Sequence, residues 1–152
     1  MNQVSQLLVF LLDHQRYALH LAAVERVVRA AEVTPLPRAP KIVHGVIDLH
    51  GRIIPVIDLR RRFGLPAREV DFADRFVIAR TPRRRVALAV DAVDGVVDDP
   101  GGHVQAVAEI LPHLAYVEGV LRLKDGMALV HDLGRFLSLD EEDALDQALA
   151  LT

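Results

Sequence analysis

The sequence predicts a mainly β protein that folds as two similar small β-barrels and ends in a helix. Apolar runs rich in Val and Ile alternate with short polar turns along most of the chain. One hairpin-plus-helix pattern occurs twice with the same internal spacing, which indicates a repeated unit. A capping box followed by an apolar stripe near the C-terminus predicts the final helix. With 152 residues, 51% of them apolar, the chain can bury one shared core.

The N-terminal part predicts a hairpin, a short helical turn and a connector. Apolar segments 7–12 and 16–20 flank the polar residues 13–15, a pattern typical of a β-hairpin. Residues 21–30 mix helical spacing with valines that favour strands, so we expect a helical turn leading into a strand. Segment 34–40 contains three prolines, which exclude a helix and a central strand.

The central part predicts a second hairpin followed by a short helix. Its strands are expected at 45–49 and 52–57, joined by a turn in which Gly51 tolerates a positive φ. Asp58 is a suitable N-cap for a helix over 59–63.

A further strand pair is expected at 75–79 and 86–90, around the arginine-rich loop 81–85. A strand or turn follows at 91–97. The acidic, proline and glycine residues at 98–102 should then interrupt the chain.

The hairpin-plus-helix pattern returns near the C-terminus. Gly119 and Asp132 are 13 residues apart, as are Gly45 and Asp58. We therefore expect two barrels that are each too small to bury their own apolar faces well. The chain is predicted to be a single domain over 1–152.

The tail, residues 138–152, is expected to form a helix. Ser138 and Glu141 have the spacing of a capping box. The apolar stripe consists of Ala144, Leu145, Ala148 and Leu149.

The residues needed for catalysis or metal binding are missing from the sequence. The seven histidines form no HExxH motif and no close pair flanked by carboxylates, so we expect no metal and no other cofactor. There is no cysteine, and no Ser or Thr stands in the glycine-flanked turn of a nucleophile. We therefore predict that the protein is not an enzyme.

The charge distribution argues against general nucleic-acid binding. Residues 1–76 carry 11 Lys and Arg against 8 Asp and Glu, whereas residues 77–152 carry 7 against 13. The arginine triplets 60–62 and 83–85 lack interleaved aromatics, so we expect them to be solvated faces rather than a nucleic-acid site.

The longest early apolar run is too short to span a membrane, so no membrane insertion is expected. A cytoplasmic location is expected, in line with the absence of cysteine.

Residues 45–60, Gly-Val-Ile-Asp-Leu-His-Gly-Arg-Ile-Ile-Pro-Val-Ile-Asp-Leu-Arg, resemble the CheW-like domain of bacterial chemosensory systems. The family pattern is Gly-Val-x-Asn-Leu-Arg-Gly-x-x-x-Pro-Val-x-Asp-Leu-Arg. Segments 90–96 and 119–133 resemble later parts of the family, and the resemblance runs from about residue 7 to 137. It implies two five-stranded SH3-like β-barrels around a shared hydrophobic core.

The resemblance also implies a function. By this resemblance, the chain would be a stand-alone chemotaxis adaptor that couples a CheA-type histidine kinase to the cytoplasmic tips of chemoreceptors. It would be recruited to membrane receptor arrays. The implied receptor-binding residues are Val24, Arg26, Asp48, His50, Phe76, Ala87 and Val96. The implied kinase-binding residues are Arg38, Lys41 and His44.

Three of these residues depart from the family pattern. The usual Glu, Asn and Arg are replaced by Arg26, Asp48 and His50, respectively. We hypothesise that Asp48 takes over as the partner of Arg26 and that the chain serves a specialised chemosensory or twitching-type pathway.

Alternatives remain open at this point. Plain core packing would explain each apolar candidate equally well. A small-molecule sensor that uses the groove between the barrels, and a nucleic-acid binder that uses the arginine triplets, are the other functional classes.

Overall fold

The fold is known from a computed structural model that describes residues 5–99, 105–106 and 117–151. The strands are β1 (Ser5–Leu12), β2 (Gln15–His20), β3 (Val24–Arg29), β4 (Val43–Leu49), β5 (Arg52–Ile57), β6 (Arg75–Arg80), β7 (Arg85–Val90), β8 (Ala92–Asp99), β9 (Gln105–Ala106), β10 (Val117–Leu123) and β11 (Gly126–His131). The helices are α1 (Leu59–Arg62) and α2 (Leu139–Ala150), with 3₁₀ turns at Leu21–Ala23 and Leu133–Arg135. No helix in these ranges has the length and apolar character needed to cross a bilayer.

The strands form two sheets that share one topology. The first sheet has the order β8-β1-β2-β11-β10-β9 and the second has the order β3-β6-β7-β5-β4. In each sheet one antiparallel hairpin, β1-β2 or β6-β7, pairs in parallel with the last strand of the repeated hairpin, β11 or β5. The predicted mainly β fold with a repeated unit is therefore confirmed.

Two details differ from the expected pair of five-stranded barrels. The first sheet has a sixth strand, the two-residue β9. Within the described ranges neither ladder closes on itself. In the second sheet an isolated bridge joins Thr34, in the segment after β3, to Val46 of β4, so its two edges approach each other as in an SH3-like barrel.

The repeat is also visible in the local backbone. β4 has a register shift between Val43 and Gly45, and β10 has one between Val117 and Gly119. Each hairpin leads into a capped helical segment. The Asp58 carboxylate accepts the Arg61 N–H at 3.1 Å, and the Asp132 carboxylate accepts the Gly134 N–H at 3.0 Å.

Alternation along the strands creates three apolar clusters. One face of the first sheet holds Leu7, Val9 and Ala18, and one face of the second holds Phe76, Ile78 and Ala87. The opposite faces of both sheets meet in a shared core together with α2. This core includes Phe10, Leu19, Val77, Leu88, Leu145 and Phe136. Because side chains alternate between faces with period two, each sheet fills its own interior and the common core at once.

Most predicted elements are confirmed at close to their expected positions. The turn of the β4-β5 hairpin has positive φ at both His50 and Gly51. The capping box of Ser138 and Glu141 is formed, and Leu145 and Ala148 of the predicted stripe are buried. β8 continues through Asp99, two residues into the break expected at 98–102. The rest of that break lies outside the described residues.

The interpretation of the arginine triplets as solvated faces is wrong for most of their members. Arg60 is only 8% exposed. Arg62 forms an ion pair with Glu141, and Arg84 pairs with Glu142 at 2.8 Å and with Asp146. These contacts join α2 to α1 and to the turn between β6 and β7. The acids that bind Arg62 and Arg84 lie about 60 to 80 residues away in the sequence, so the sequence offered no local sign of the pairing.

The Arg60 guanidinium links the two sheets. It donates to Asp13, in the β1-β2 turn, at 2.7 Å and to both carboxylate oxygens of Asp91 at 2.9 and 2.7 Å. Arg68 donates to Asp91 at 2.6 Å and to Asp74 at 2.9 Å. We call Asp13, Arg60, Arg68, Asp74 and Asp91 the inter-sheet network. A network of charge-assisted hydrogen bonds fixes the sheets with more geometric precision than apolar contact alone.

This network predicts a stability that falls in acid. Burial alone would raise the pKa of Asp91, but hydrogen bonds from Arg60, the Asp13 N–H and Arg68 bring that pKa below its ordinary 3.8. The unfolded chain therefore binds this proton at a higher pH than the folded chain does. The stabilising contribution of Asp91 is complete above its ordinary pKa and is lost as the pH falls through the folded value.

Urea unfolding between pH 7 and pH 3 tests this expectation. Asp91→Asn should have a lower free energy of unfolding at pH 7 and a shallower decline below about pH 4. Equal declines for the variant and the parent would show that Asp91 does not contribute to the acid sensitivity.

Candidate functional site

The residues proposed for a receptor groove lie at different depths. Phe76 and Ala87 have no exposed surface and belong to the interior cluster of the second sheet. They cannot line a surface groove in this structure, so for these two the core-packing alternative is correct. Val24 is half-buried at the start of β3, and Val96 on β8 is 49% exposed.

The structure does not contain the hypothesised pair between Arg26 and Asp48. Arg26 is exposed beside a register shift in β3 and has no ion pair within the described part of the chain. The Asp48 carboxylate instead accepts the Gly51 N–H at 2.8 Å, within its own turn. A side chain that caps its own hairpin gains a short local hydrogen bond without ordering a distant partner. His50 is exposed in the same turn.

Arg26 lies in a positively charged region of the second sheet. Arg85 donates to Glu25 at 2.7 Å. The hydrogen bond from Arg85 lowers the pKa of Glu25, and the charges of Arg85, Arg80 and Arg26 lower it further. Arg80 and Arg85 also line a shallow concavity of about 270 Å³ together with Arg52. We call Arg26, Arg52, Arg80 and Arg85 the arginine patch.

The residues proposed for kinase binding lie in and after the proline-rich connector. Arg38 and Lys41 are exposed, and Arg38 has a φ of 67°. His44 is half-buried on β4, and its Nε2 lies 3.7 Å from Oδ1 of Asp58. The structure therefore brings His44 next to the cap of α1 and leaves the two cations in solvent.

His44 also lines a wide cleft. This cleft measures about 630 Å³ and lies between residues 30–33, which follow β3, and residues 69–72, which precede β6. Its walls are partly apolar, because Val33 and Val70 line it. Both also pack against the interior cluster that contains Phe76. Its rim carries three carboxylates, those of Glu32, Glu69 and Asp71. We call this feature the acidic cleft.

Phe72 stands at the edge of the acidic cleft and is 85% exposed. Phe is among the residue types most often buried in folded proteins, and this chain has only five of them. Exposure of one is therefore unusual. Exposed aromatic residues that neighbour a concave surface are the common anchors of protein–protein interfaces. The acidic cleft with Phe72 thus has the composition of a partner site.

Sequence reasoning missed the acidic cleft, although one signal was present. Phe72 is flanked by Glu69, Asp71 and Asp74, and this polar segment has no strand or helix pattern that would bury an aromatic ring. The apolar walls could not have been foreseen, since they depend on how residues 30–33 fold over the second sheet.

The described residues offer no ligand set for a metal ion. Within residues 5–99, 105–106 and 117–151 there is no group of three or more His, Asp or Glu side chains that could hold one. The expectation that the protein needs no cofactor and catalyses no reaction stays a prediction.

Comparisons with known proteins give a consistent result. The sequence model of the CheW-like domain matches residues 6–141. The chain is 28% identical over 145 residues to the chemotaxis protein CheW of Rhizobium meliloti, with 94% of each chain covered. It is 28% identical over 142 residues to CheW of Treponema pallidum, covering 90% of this chain and 84% of the relative.

A solved structure has the same fold. The crystal structure of the scaffolding protein TtCheW from Thermoanaerobacter tengcongensis superposes with a TM-score of 0.82 at 29% identity. The alignment covers 91% of this chain and 96% of that one.

Proposed function

The chain belongs to the CheW-like domain family, and from this premise we propose that it is a non-catalytic adaptor in bacterial chemosensory signal transduction. It couples a CheA-type histidine kinase to the cytoplasmic tips of chemoreceptors and acts in the cytoplasm at membrane receptor arrays. The observation that carries the proposal is the match of the CheW-like domain over residues 6–141, together with relatives that are themselves chemotaxis proteins. Coupling requires two separate partner surfaces, one for the kinase and one for the receptor.

The kinase binds at the acidic cleft. His44, a predicted kinase contact, lines this cleft, and Phe72 provides an apolar anchor at its edge. Arg38 and Lys41 lie in the neighbouring connector and supply cations for the rim of the interface. An apolar centre with a charged rim is the usual organisation of a transient protein interface. A contact of about 800 Å² per partner or less would give micromolar affinity.

The receptor binds at a second surface that includes Val24, Arg26, His50 and Val96. All four side chains are at least partly exposed. Phe76 and Ala87 act beneath this surface by holding the second sheet in shape. The replacement of the usual Glu and Arg by Arg26 and His50 alters the charge that a receptor meets, which favours a specialised pathway.

Phe72→Ala should weaken kinase binding about tenfold. Removal of an aromatic anchor at an interface commonly costs 1 to 2 kcal/mol or more, and 1.4 kcal/mol corresponds to a factor of ten. The measurement is calorimetric titration of the regulatory domain of each CheA-type kinase from the source organism. Met127→Ala is the matched control, because Met127 is also exposed, at 59%, but lies in the other sheet.

Three results decide the proposal. Binding that Phe72→Ala weakens and Met127→Ala preserves supports both the function and the site. Binding that neither substitution weakens supports the function and removes the acidic cleft from it. Failure to bind any of these kinases contradicts the adaptor function.

A further inference from the structure

The arginine patch has more positive charge than the described residues neutralise. Glu25 binds Arg85 at 2.7 Å, whereas Arg26, Arg52 and Arg80 have no ion pair in the described part of the chain. Four guanidinium groups and one carboxylate leave three positive charges in excess. Asp48 lies opposite Ile53 on the neighbouring strand, and counting it still leaves two.

The charge surrounds an apolar concavity. The floor and walls of this concavity include Ile54 and Pro55 of β5 and Leu149 of α2. Ile53 projects beside them and is 54% exposed. A branched aliphatic side chain left in water next to a concave apolar surface gains free energy when a partner covers both.

We propose that the arginine patch binds an acidic protein segment that also carries an apolar side chain. The segment's carboxylates would accept hydrogen bonds from Arg52 and Arg80, whose planar guanidinium groups suit carboxylates in a bidentate arrangement. Its apolar side chain would cover Ile53 and enter the concavity. This inference rests on the proposed function at one residue only, because Arg26 also belongs to the expected receptor surface.

Neighbouring charges distinguish a narrow acidic segment from a broad polyanion. Arg84, at the wall of the concavity, is already bound to Glu142 and Asp146 of α2. Arg83 beside it meets Asp143 at 3.7 Å and Asp146 at 3.1 Å. A flat anionic membrane or a nucleic-acid duplex laid over the patch would be repelled by these carboxylates. The patch also has no aromatic side chain on which bases could stack.

A defined peptide probe tests the proposal without any natural partner. We expect a 14-residue amphipathic peptide of Glu and Leu to shift the backbone NMR signals of Arg52, Ile53 and Arg80. A peptide in which Lys replaces Glu should not shift them. The double variant Arg52→Glu, Arg80→Glu should weaken binding of the Glu peptide tenfold or more, because it removes two contacts and adds repulsion. Higher salt should weaken binding to the unmodified protein.

The matched control is the double variant Arg61→Glu, Arg122→Glu. Both of these arginines are exposed and have no ion pair within the described ranges, and the change in net charge is the same. Equal weakening by both double variants would show a nonspecific charge effect and overturn the proposal. Absence of signal shifts with the Glu peptide, or shifts at the patch with anionic vesicles or duplex DNA alone, would overturn it too. None of these results depends on kinase binding, so the proposed function is tested separately.

Discussion

Replacement of Gly45 by alanine should lower the free energy of unfolding by about 2–6 kcal/mol. An added Cβ would lie 2.2 Å from the Thr34 carbonyl oxygen and 2.9 Å from Val33 Cγ1. The φ of Gly45 is +153°, a backbone angle that residues other than glycine rarely adopt. A strained backbone costs about 1–3 kcal/mol, and overpacking adds about 1–3 kcal/mol.

The loss should be large because the clash is with backbone. The Thr34–Val46 bridge has two hydrogen bonds, of 2.9 and 2.8 Å, and Thr34 would have to move away to make room. Gly51→Ala in the same hairpin is the control, since nothing lies within 4 Å of its added Cβ and only the φ of 84° is strained. We expect the control to lose about 1–2 kcal/mol. Urea unfolding followed by circular dichroism measures both, and equal losses would disprove the close approach at Gly45.

Arg60→Met should lower the free energy of unfolding by about 2–4 kcal/mol. Removing one partner of a buried ion pair typically costs 3–5 kcal/mol because the other charges are left without compensation. The expected loss is somewhat smaller here because the Asp13 side chain is 35% exposed and can regain water. Methionine keeps the apolar stem, so the substitution reports on the guanidinium group rather than on packing.

Arg61→Met on the same one-turn helix is the matched control. Arg61 is exposed, and its substitution should change the free energy of unfolding by less than about 0.5 kcal/mol. If Arg60→Met were equally mild, the inter-sheet network would contribute little to stability. The prediction would then be wrong even though the hydrogen bonds are present.

Local signals explain why so many elements could be predicted from the sequence. Residues within about 15 positions of one another specify three features of the central segment. These are the β4-β5 hairpin, its turn at Gly51 and the Asp58 cap. The same holds for the capping box at Ser138. Turn residues and caps act through the nearby backbone, so a single sequence contains the information that specifies them.

Distant pairings could not be predicted because their partners share no local pattern. The Arg60–Asp91 and Arg84–Glu142 contacts span 31 and 58 residues, and nothing in the triplets distinguishes a paired arginine from a solvated one. Phe76 and Ala87 are buried because both faces of β6 and β7 are covered, one by the interior cluster of the second sheet and the other by the shared core, and no local pattern distinguishes such strands from half-exposed ones. The Arg26–Asp48 hypothesis failed for a related reason, since Asp48 has a closer partner in its own turn.

The arrangement of strands in the first sheet has a consequence for how the chain folds. Its first hairpin pairs with segments far along the sequence: Leu7 lies opposite Val97, and Tyr17 lies opposite Leu129. All strands of the second sheet, by contrast, lie between residues 24 and 90. On the ribosome the second sheet can form as soon as these residues emerge, whereas the β1-β2 hairpin must wait for β8 and β11, which are synthesised after the second sheet. Because long-range pairing slows folding, completion of the first sheet should be the slow step, and the waiting hairpin is the segment most exposed to chaperones.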